Sequence, residues 1–443
     1  MFQSLRIKNF RSIRDSGELK MSKINVLVGA NNAGKSSIIY ALMLLKMSSG
    51  QRPSEFPIVT TTQALDLGSY LDLIRGGDTK RKLSLSFTFD EGVIKGRFRR
   101  AVAADFYDRP VRYAGCHVEF AYDKTTNKVL VERFTGTELD GRKIFSVSRR
   151  DGGEWSITGP HVKLRRSMDV TFWNFFPILA AKKQDETPSK ISKGLLEWYI
   201  LSRLMAVGYM EVFEGLKYIA PIRERIPRFG VMGTMPSSEL SPSGENLMRV
   251  LATSESIRVR KKTLIHELNY WLNTRFRLLR NVRMVDVDRA GTLKAIVADD
   301  VKGAKGINLA FTGCGISQLV PIIVQTVLMN DSECLLVEQP EIHLHPSAQA
   351  DLADLFIENA KYNKQFIIET HSEHLLLRLR RRIAEGRIKS ENVRVFAVEK
   401  KGTNTTIRRL DLKSDGHFEE WPKGFFEEGY KEALAIAEAG FKE

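Results

Sequence analysis

A chain of 443 residues, 43% of them hydrophobic and 27% charged, has ordinary globular composition and room for one large domain with insertions or for two or three smaller ones. Its three cysteines, Cys116, Cys314 and Cys334, are scattered without a CxxC pair, which argues against a disulfide framework or zinc ribbon and fits a reducing compartment. No apolar run reaches the roughly 18 residues of a membrane helix and no charged-then-apolar leader opens the chain, so the expectation is a soluble cytoplasmic protein without a membrane partner. The formal net charge is +15, with basic clusters at residues 97–100 (RFRR), 163–166 (KLRR), 258–262 (RVRKK), 275–283 (RFRLLRNVR) and 378–382 (RLRRR). Singly each cluster is a solvated face; together they make DNA or RNA the leading polyanionic partner.

In chain order, residues 1–10 (MFQSLRIKNF) read as an amphipathic first strand. Residues 24–28 (INVLV) form a short continuous apolar run, the pattern of a strand buried on both faces of a parallel sheet. The run leads into GANNAGKSS (29–37) and then IIYALMLLKM with helical periodicity, so GxxxxGK[ST] stands in its strand–loop–helix context. Gly29 and Gly34 permit torsions that turn successive N–H groups inward as a nest for phosphate oxygens. The helix beginning near Lys35 adds its positive end. Lys35 reaches the β- and γ-phosphates as a mobile point charge, and the Ser36 hydroxyl can ligate Mg²⁺. The expected nucleotide contacts are Gly29, Asn31, Asn32, Gly34, Lys35, Ser36 and Ser37.

Residues 82–157 alternate apolar and polar side chains between turns, which predicts an antiparallel β-lobe. From about 162 to 276 the pattern turns helical, without the sustained heptads of long coiled-coil arms. Residues 308–329 (NLAFTGCGISQLVPIIVQTVLM) make a glycine-rich turn that opens an apolar helix. Gly313, Gly315 and Ser317 at such a helix start would bind phosphate well. Because the chain already has one cradle, the economical reading is that Gly315, Ser317 and Gln318 address the nucleotide of a second copy, two subunits sandwiching two nucleotides.

Residues 334–337 (CLLV) are again apolar, capped by Glu338 and then Glu341. In P-loop enzymes the strand beside the cradle ends in an acid that holds Mg²⁺, which suits Glu338. Glu341 then takes the general-base role, polarising the attacking water, and Pro340 is a natural strand stop. The alternative is a transition-metal site: His343 and His345, two apart on a strand, would share a face with Glu341. Magnesium already explains both carboxylates, however, and Ile342 and Leu344 alternate with the histidines as in a packed segment. Residues 364–369 (KQFIIE) are another strand, ending in THSEHLL, where His371 can reach the γ-phosphate as a polar sensor.

Cradle, glycine–serine helix start, EQPE strand end and THS turn, in that order, resemble the ATP-binding-cassette heads of the RecF, SMC and OLD type. LRIKNFRSI followed by INVLVGANNAGKSSII is similar to that group's opening, and IHLHPSAQ with IIETHSEHLL to its OLD-like branch of AAA-family ATPases without an SMC coiled coil. The resemblance implies an α/β fold, a P-loop NTPase head of ABC type carrying an antiparallel β-lobe and a helical insertion, with ATP and Mg²⁺ as ligands. It makes Lys35 and Ser36 the Walker A contacts, Glu338 the Walker B acid, Glu341 the catalytic glutamate, Ser317 the signature serine and His371 the switch histidine. Two departures stand out: Glu338 where many relatives have Asp, and TGCGISQ where transporters have LSGGQ. Gln63 is the candidate Q-loop glutamine. Residues 218–228 (YIAPIRERIPR) and 243–246 (SGEN) resemble segments that recur in such ATPases. Residues 416–428 (GHFEEWPKGFFEE) look like their small C-terminal domain, or an aromatic lid of Trp421, Phe425 and Phe426.

The expected organisation is a first part of the head at 1–90, the β-lobe at 91–160, the helical insertion at 161–290, the second part of the head at 291–400 and an extension at 401–443. The expected function is an ATP-hydrolysing switch: a homodimer or higher oligomer closes on Mg–ATP, acts on DNA or RNA in DNA repair or anti-phage defence, and works with a nuclease or other effector protein. Two alternatives are a nucleotide-gated scaffold with negligible turnover and a single-chain OLD-type nuclease. The nuclease is disfavoured because residues 372–443 hold no DxD cluster.

Overall fold

The computed structural model describes residues 1–50, 56–63, 65–90, 113–138, 141–150, 154–159, 163–164, 170–179, 193–232, 239–253, 257–259 and 262–420. The basic cluster at 97–100 and the aromatic segment at 421–426 lie outside the described residues.

Short segments rich in Val, Ile and Leu build a parallel core. Ile24–Val28 lies between Val393–Lys401 and Gln365–Glu369, followed outward by Cys334–Glu338 and Leu216–Ile219, all running the same way. Every residue of Ile24–Val28, Cys334–Glu338 and Gln365–Glu369 is buried. Their side chains alternate between two apolar layers, Val26, Val28, Leu335, Val337 and Ile368 on one side and Leu27, Leu336 and Ile367 on the other. A strand covered on both faces has no polar face to show, hence the mainly apolar runs in the sequence. Asn25 interrupts the first run, and its amide is satisfied by Ser22 and by the Phe366 carbonyl. The cradle helix Lys35–Ser48 and the helix Lys193–Glu214 cover one face. Helices Cys314–Leu328, Pro346–Ala360 and Glu373–Ala384 cover the other.

Beyond Val393–Lys401 the sheet continues through Asn404–Leu410, Ile13–Asp15 and Phe2–Phe10 into Leu83–Phe89, Tyr113–Asp123, Lys128–Glu138, Lys143–Arg149, Trp155–Thr158 and Lys163–Leu164. Among the described residues, the antiparallel lobe expected from the alternation therefore shares one sheet of 15 strands with the parallel core. Aromatic packing fastens the helix Lys193–Glu214 to this lobe: Tyr209 stacks on Phe176 at 5.2 Å, meets Phe87 edge-on, and donates its hydroxyl to the Gly115 carbonyl at 2.6 Å.

The span read as helical also holds strands. Val170–Trp173 and Phe176–Leu179 form a hairpin, and Leu216–Ile219 is the parallel edge strand beside Cys334–Glu338. LKYI is too short for any period to show and follows a 22-residue helix after only Gly215. Pairing with Cys334–Glu338 makes it a strand, and that partner is remote in sequence. The RLRRR cluster is largely spent within the chain: Arg378 and Arg382 bond Asp354, Arg381 bonds Glu385, and Arg380 bonds the Gly416 carbonyl.

Candidate nucleotide-binding and catalytic site

The parallel strands end together, and open α/β sheets place ligands at such carboxyl ends. Two glycines there tolerate no side chain. A Cβ on Gly29 would lie 2.1 Å from the Val398 carbonyl oxygen, and one on Gly34, at φ 103°, 2.5 Å from Thr405 Oγ1. The loop tip carries Asn31 and Asn32, both exposed, with Asn32 left-handed at φ 58°. Ser37 is buried, its N–H on the Gly34 carbonyl. Lys35 is 3% exposed; its ammonium donates to the carbonyls of Gly29 (3.1 Å) and Ala30 (2.9 Å) and lies 3.9 Å from Glu369 Oε1. Burial lowers its pKa, opposed by the charges of Glu369 and Glu341.

In the ladder between Cys334–Glu338 and Gln365–Glu369, Glu338 stands opposite Glu369. The two carboxyls are 3% and 5% exposed. The Tyr218 hydroxyl donates to Glu338 Oε1 at 2.6 Å and Tyr40 reaches Oε2 at 3.5 Å, while the nearby Ser36 hydroxyl favours the charged form of both acids. Glu369 Oε2 is buried without a partner. Burial and the charge of Glu338 push the Glu369 carboxyl up to about 7, and burial raises Glu338 as well. Sequence reasoning missed Glu369 and Tyr218. The acid ending KQFIIE and the tyrosine opening YIAPIRERIPR were visible, but only the sheet register shows that they face Glu338.

After Glu338 the chain turns sharply, with Gln339 at φ 44° and His343 at φ 60°. The turn aims Glu341 back at the strand end, where its Oε1 accepts the main-chain N–H of His371 at 2.6 Å. Glu341 Oε2 and His371 Nε2 are buried and without partners, two polar atoms held ready beside the cradle. Burial raises the Glu341 carboxyl, offset by the His371 N–H and by the charge of Arg223. Burial and the neighbouring Lys35 lower His371, so its imidazole is neutral near pH 7. The transition-metal alternative does not survive: the strand stops at Glu338, so His343 and His345 are not on a strand, and His345 instead caps helix Pro346–Ala360 by accepting from Ser347 N. Among the described residues no three His, Cys, Asp or Glu side chains converge as metal ligands.

The signature loop differs from its expected arrangement. Ser317 and Gln318 are 4% and 5% exposed and bond within their own chain. Ser317 Oγ accepts from Ile226 N at 3.3 Å, and Gln318 exchanges hydrogen bonds with the backbone of Arg223. These side chains lie on the face of helix Cys314–Leu328 that packs inward, so in this structure they do not present themselves to a second copy. Gly315 sits against the loop after Glu338, where a Cβ would lie 2.6 Å from the His343 carbonyl oxygen. Gln63 is exposed in a turn closed by the bond between Thr61 and Asp66.

Three carboxylates, Glu338, Glu341 and Glu369, thus face two buried cations, Lys35 and Arg223. Hard oxygen donors with an unpartnered carboxylate oxygen suit Mg²⁺, and Ser36, Glu338 and Glu369 are the residues that would hold it.

The model of the AAA ATPase domain family matches residues 1–188 and 235–376. An ATP/GTP phosphatase of Helicobacter pylori is 44% identical over 45 residues, 10% of this chain and 12% of that protein. An uncharacterized protein of Methanocaldococcus jannaschii is 48% identical over 44 residues, 10% of this chain and 20% of that protein. The chain therefore spans only a small part of the length of these curated relatives. Among solved structures, an SMC head bound to the C-winged helix domain of ScpA covers 93% of this chain and 98% of its own at 14% identity and a TM-score of 0.46. The SMC head domain from Thermotoga maritima covers 93% and 99% at 12% identity and a TM-score of 0.40.

Proposed function

The chain belongs to the family of AAA ATPase domains, and from that premise we propose that it is a Mg²⁺–ATP hydrolase of the ABC-head type, whose turnover drives a switch. One observation carries this reading: Glu341 is fixed by the His371 N–H with its second oxygen buried and free, at the strand ends that also bring together Lys35, Ser36, Glu338 and Glu369.

The phosphates lie in the nest of residues 29–37, and Lys35 exchanges the carbonyls of Gly29 and Ala30 for phosphate oxygens. Magnesium, when bound, supplies charge neutralisation at the β- and γ-phosphates. Glu341 Oε2 accepts the proton of the attacking water, and burial suits it to the task by raising its proton affinity. The neutral His371 ring donates one N–H to the terminal phosphate. Burial of Lys35 and of all three carboxylates keeps the local dielectric low, which strengthens each of these interactions.

The switch is head-to-head closure of two copies. Because Ser317 and Gln318 are occupied within their own chain, the partner's phosphate would meet the first N–H groups of the helix at Cys314 and Gly315, which remain partly accessible. The net charge of +15 supports DNA or RNA as the object of the switch, in repair or anti-phage defence, with a nuclease or other effector protein responding to it. The test is steady-state phosphate release with and without DNA or RNA, for the wild-type chain and for Lys35→Ala and Glu341→Gln. Lys35→Ala should abolish nucleotide binding. Glu341→Gln should keep binding, lose turnover by about 100-fold or more, and accumulate an ATP-bound dimer on size-exclusion chromatography. Normal turnover in Glu341→Gln would overturn the catalytic assignment.

A further inference from the structure

We propose that Arg223 is a positioning residue that fixes the Glu341-bearing turn to the signature helix, so that hydrolysis depends on the seating of that helix. The inference rests on the ATPase reading above and concerns Arg223 and Gln318, whose side chains are engaged with each other inside the chain.

Arg223 is 2% exposed and lies between two elements that must be aligned for chemistry. On one side its Nε donates to Gln318 Oε1 at 3.2 Å, while the Gln318 amide returns a bond to the Arg223 carbonyl at 2.7 Å. On the other, Nη1 donates to the Glu338 carbonyl at 3.3 Å and Nη2 to the Gln339 carbonyl at 3.2 Å. These carbonyls open the turn that carries Glu341, and Gln339 within it holds a left-handed torsion of 44°, uncommon for a residue with a side chain. At the far end of the same turn, Gly315 of the helix presses on the His343 carbonyl with no room for a Cβ. The helix therefore grips the turn at both ends, through Arg223 with Gln318 and through Gly315.

Glu341 must stay within hydrogen-bond reach of a water, and a shift of the turn by a fraction of a bond length misaligns it. The planar fork of an arginine can serve two carbonyls and an amide oxygen at once, and a lysine ammonium on its flexible stem cannot hold that geometry. The same helix offers its N-terminal turn to whatever lies outside, so contact there reaches Glu341 through a short set of hydrogen bonds. The buried positions of Ser317 and Gln318 thus gain a role: Gln318 holds the catalytic turn in place.

The experiment compares wild type with Arg223→Lys, Arg223→Ala and Gln318→Ala. It measures kcat and KM for ATP, Mg–ATP affinity with a fluorescent analogue, and melting temperature. Turnover should fall on the order of 100-fold in Arg223→Ala and about tenfold in Arg223→Lys, with nucleotide affinity changed less than about threefold. Added guanidinium ion should restore part of the turnover of Arg223→Ala and none of that of Glu341→Gln, which a merely structural role for Arg223 would not produce. The losses in Gln318→Ala and Arg223→Lys should be non-additive, because they remove one linkage. Wild-type kcat in folded Arg223 variants, or losses of turnover matched by equal losses of affinity, overturns the assignment. If the Arg223 variants do not fold, an unchanged kcat in Gln318→Ala overturns it. A wild-type chain without ATP turnover overturns the ATPase reading and this inference together, whereas turnover indifferent to Arg223 and Gln318 overturns this inference alone.

Discussion

Glu369→Gln removes one of two buried carboxyls that face each other across a parallel ladder. At a strand spacing of about 5 Å and an effective dielectric of about 20, two such charges repel by about 3 kcal/mol. The rise of the Glu369 carboxyl from 4.5 to about 7, set first by burial and then by the charge of Glu338, amounts to about 3 kcal/mol at roughly 1.4 kcal/mol per pH unit. The folded carboxyl holds its proton more tightly than the unfolded one. Its contribution to stability is therefore complete below 4.5 and is lost as the pH rises through about 7. Metal-free wild type should weaken across that window, while Glu369→Gln, which has no proton to lose at this position, should weaken less. Melts in EDTA should show the variant more stable at about pH 8, by up to ~3 kcal/mol, and little different at about pH 4.5. Magnesium reverses the order, because the glutamine has lost the charge that attracts the cation. Calorimetric titration with ATP should give similar affinities for the two proteins in EDTA. With Mg²⁺ present, the variant should bind on the order of tenfold more weakly than wild type. A variant no more stable than wild type at the higher pH, or one that keeps the full magnesium-dependent gain, refutes the seating of the cation between Glu338 and Glu369.

Other perturbations test the same geometry. Gly34→Ala forces a Cβ against Thr405 at a torsion of 103°, and should cost about 2 kcal/mol in urea unfolding and sharply weaken ATP binding; unchanged affinity would disprove the cradle. Tyr218→Phe leaves Glu338 Oε1 without its hydroxyl donor, so the magnesium concentration for half-maximal turnover should rise several-fold, and an unaltered magnesium dependence would count against the pairing. Asp354→Asn removes the carboxylate shared by the half-buried Arg378 and Arg382, which keep Asp351 and Glu385 as partners, so denaturant unfolding should show a loss of about 1–2 kcal/mol without a change in nucleotide affinity. Both arginines hold Asp354 below the usual carboxylate range against the effect of burial. That contribution is present above the ordinary value of 3.8 and is lost as the pH falls below it.

The cradle was legible because its causes are local: an apolar strand, glycines where no Cβ fits and a helix start follow one another in the chain. Glu338, Glu341 and His371 were legible for the same reason, as polar residues that end buried strands or follow them closely. The edge strand Leu216–Ile219 escaped notice because four residues carry no period and its pairing partner is distant. The metal alternative at the two histidines of HLH, set aside in the sequence because magnesium explains the carboxylates, loses its premise in the fold: alternation has meaning only on a strand, and the strand ends at Glu338.

By itself the sequence determined the order of the motifs, the apolar runs that become a doubly covered sheet, and the residue types able to hold phosphate and metal. Tertiary structure alone decided which of those residues meet. Parallel register set Glu369 beside Glu338, and Tyr218 reached the same acid from 120 positions away. Helix packing turned Ser317 and Gln318 inward to Ile226 and Arg223. The physical reason is that torsional preferences and short-range hydrogen bonds are properties of neighbours in the chain, whereas burial, strand register and charge pairing are set by residues that only the folded chain brings together.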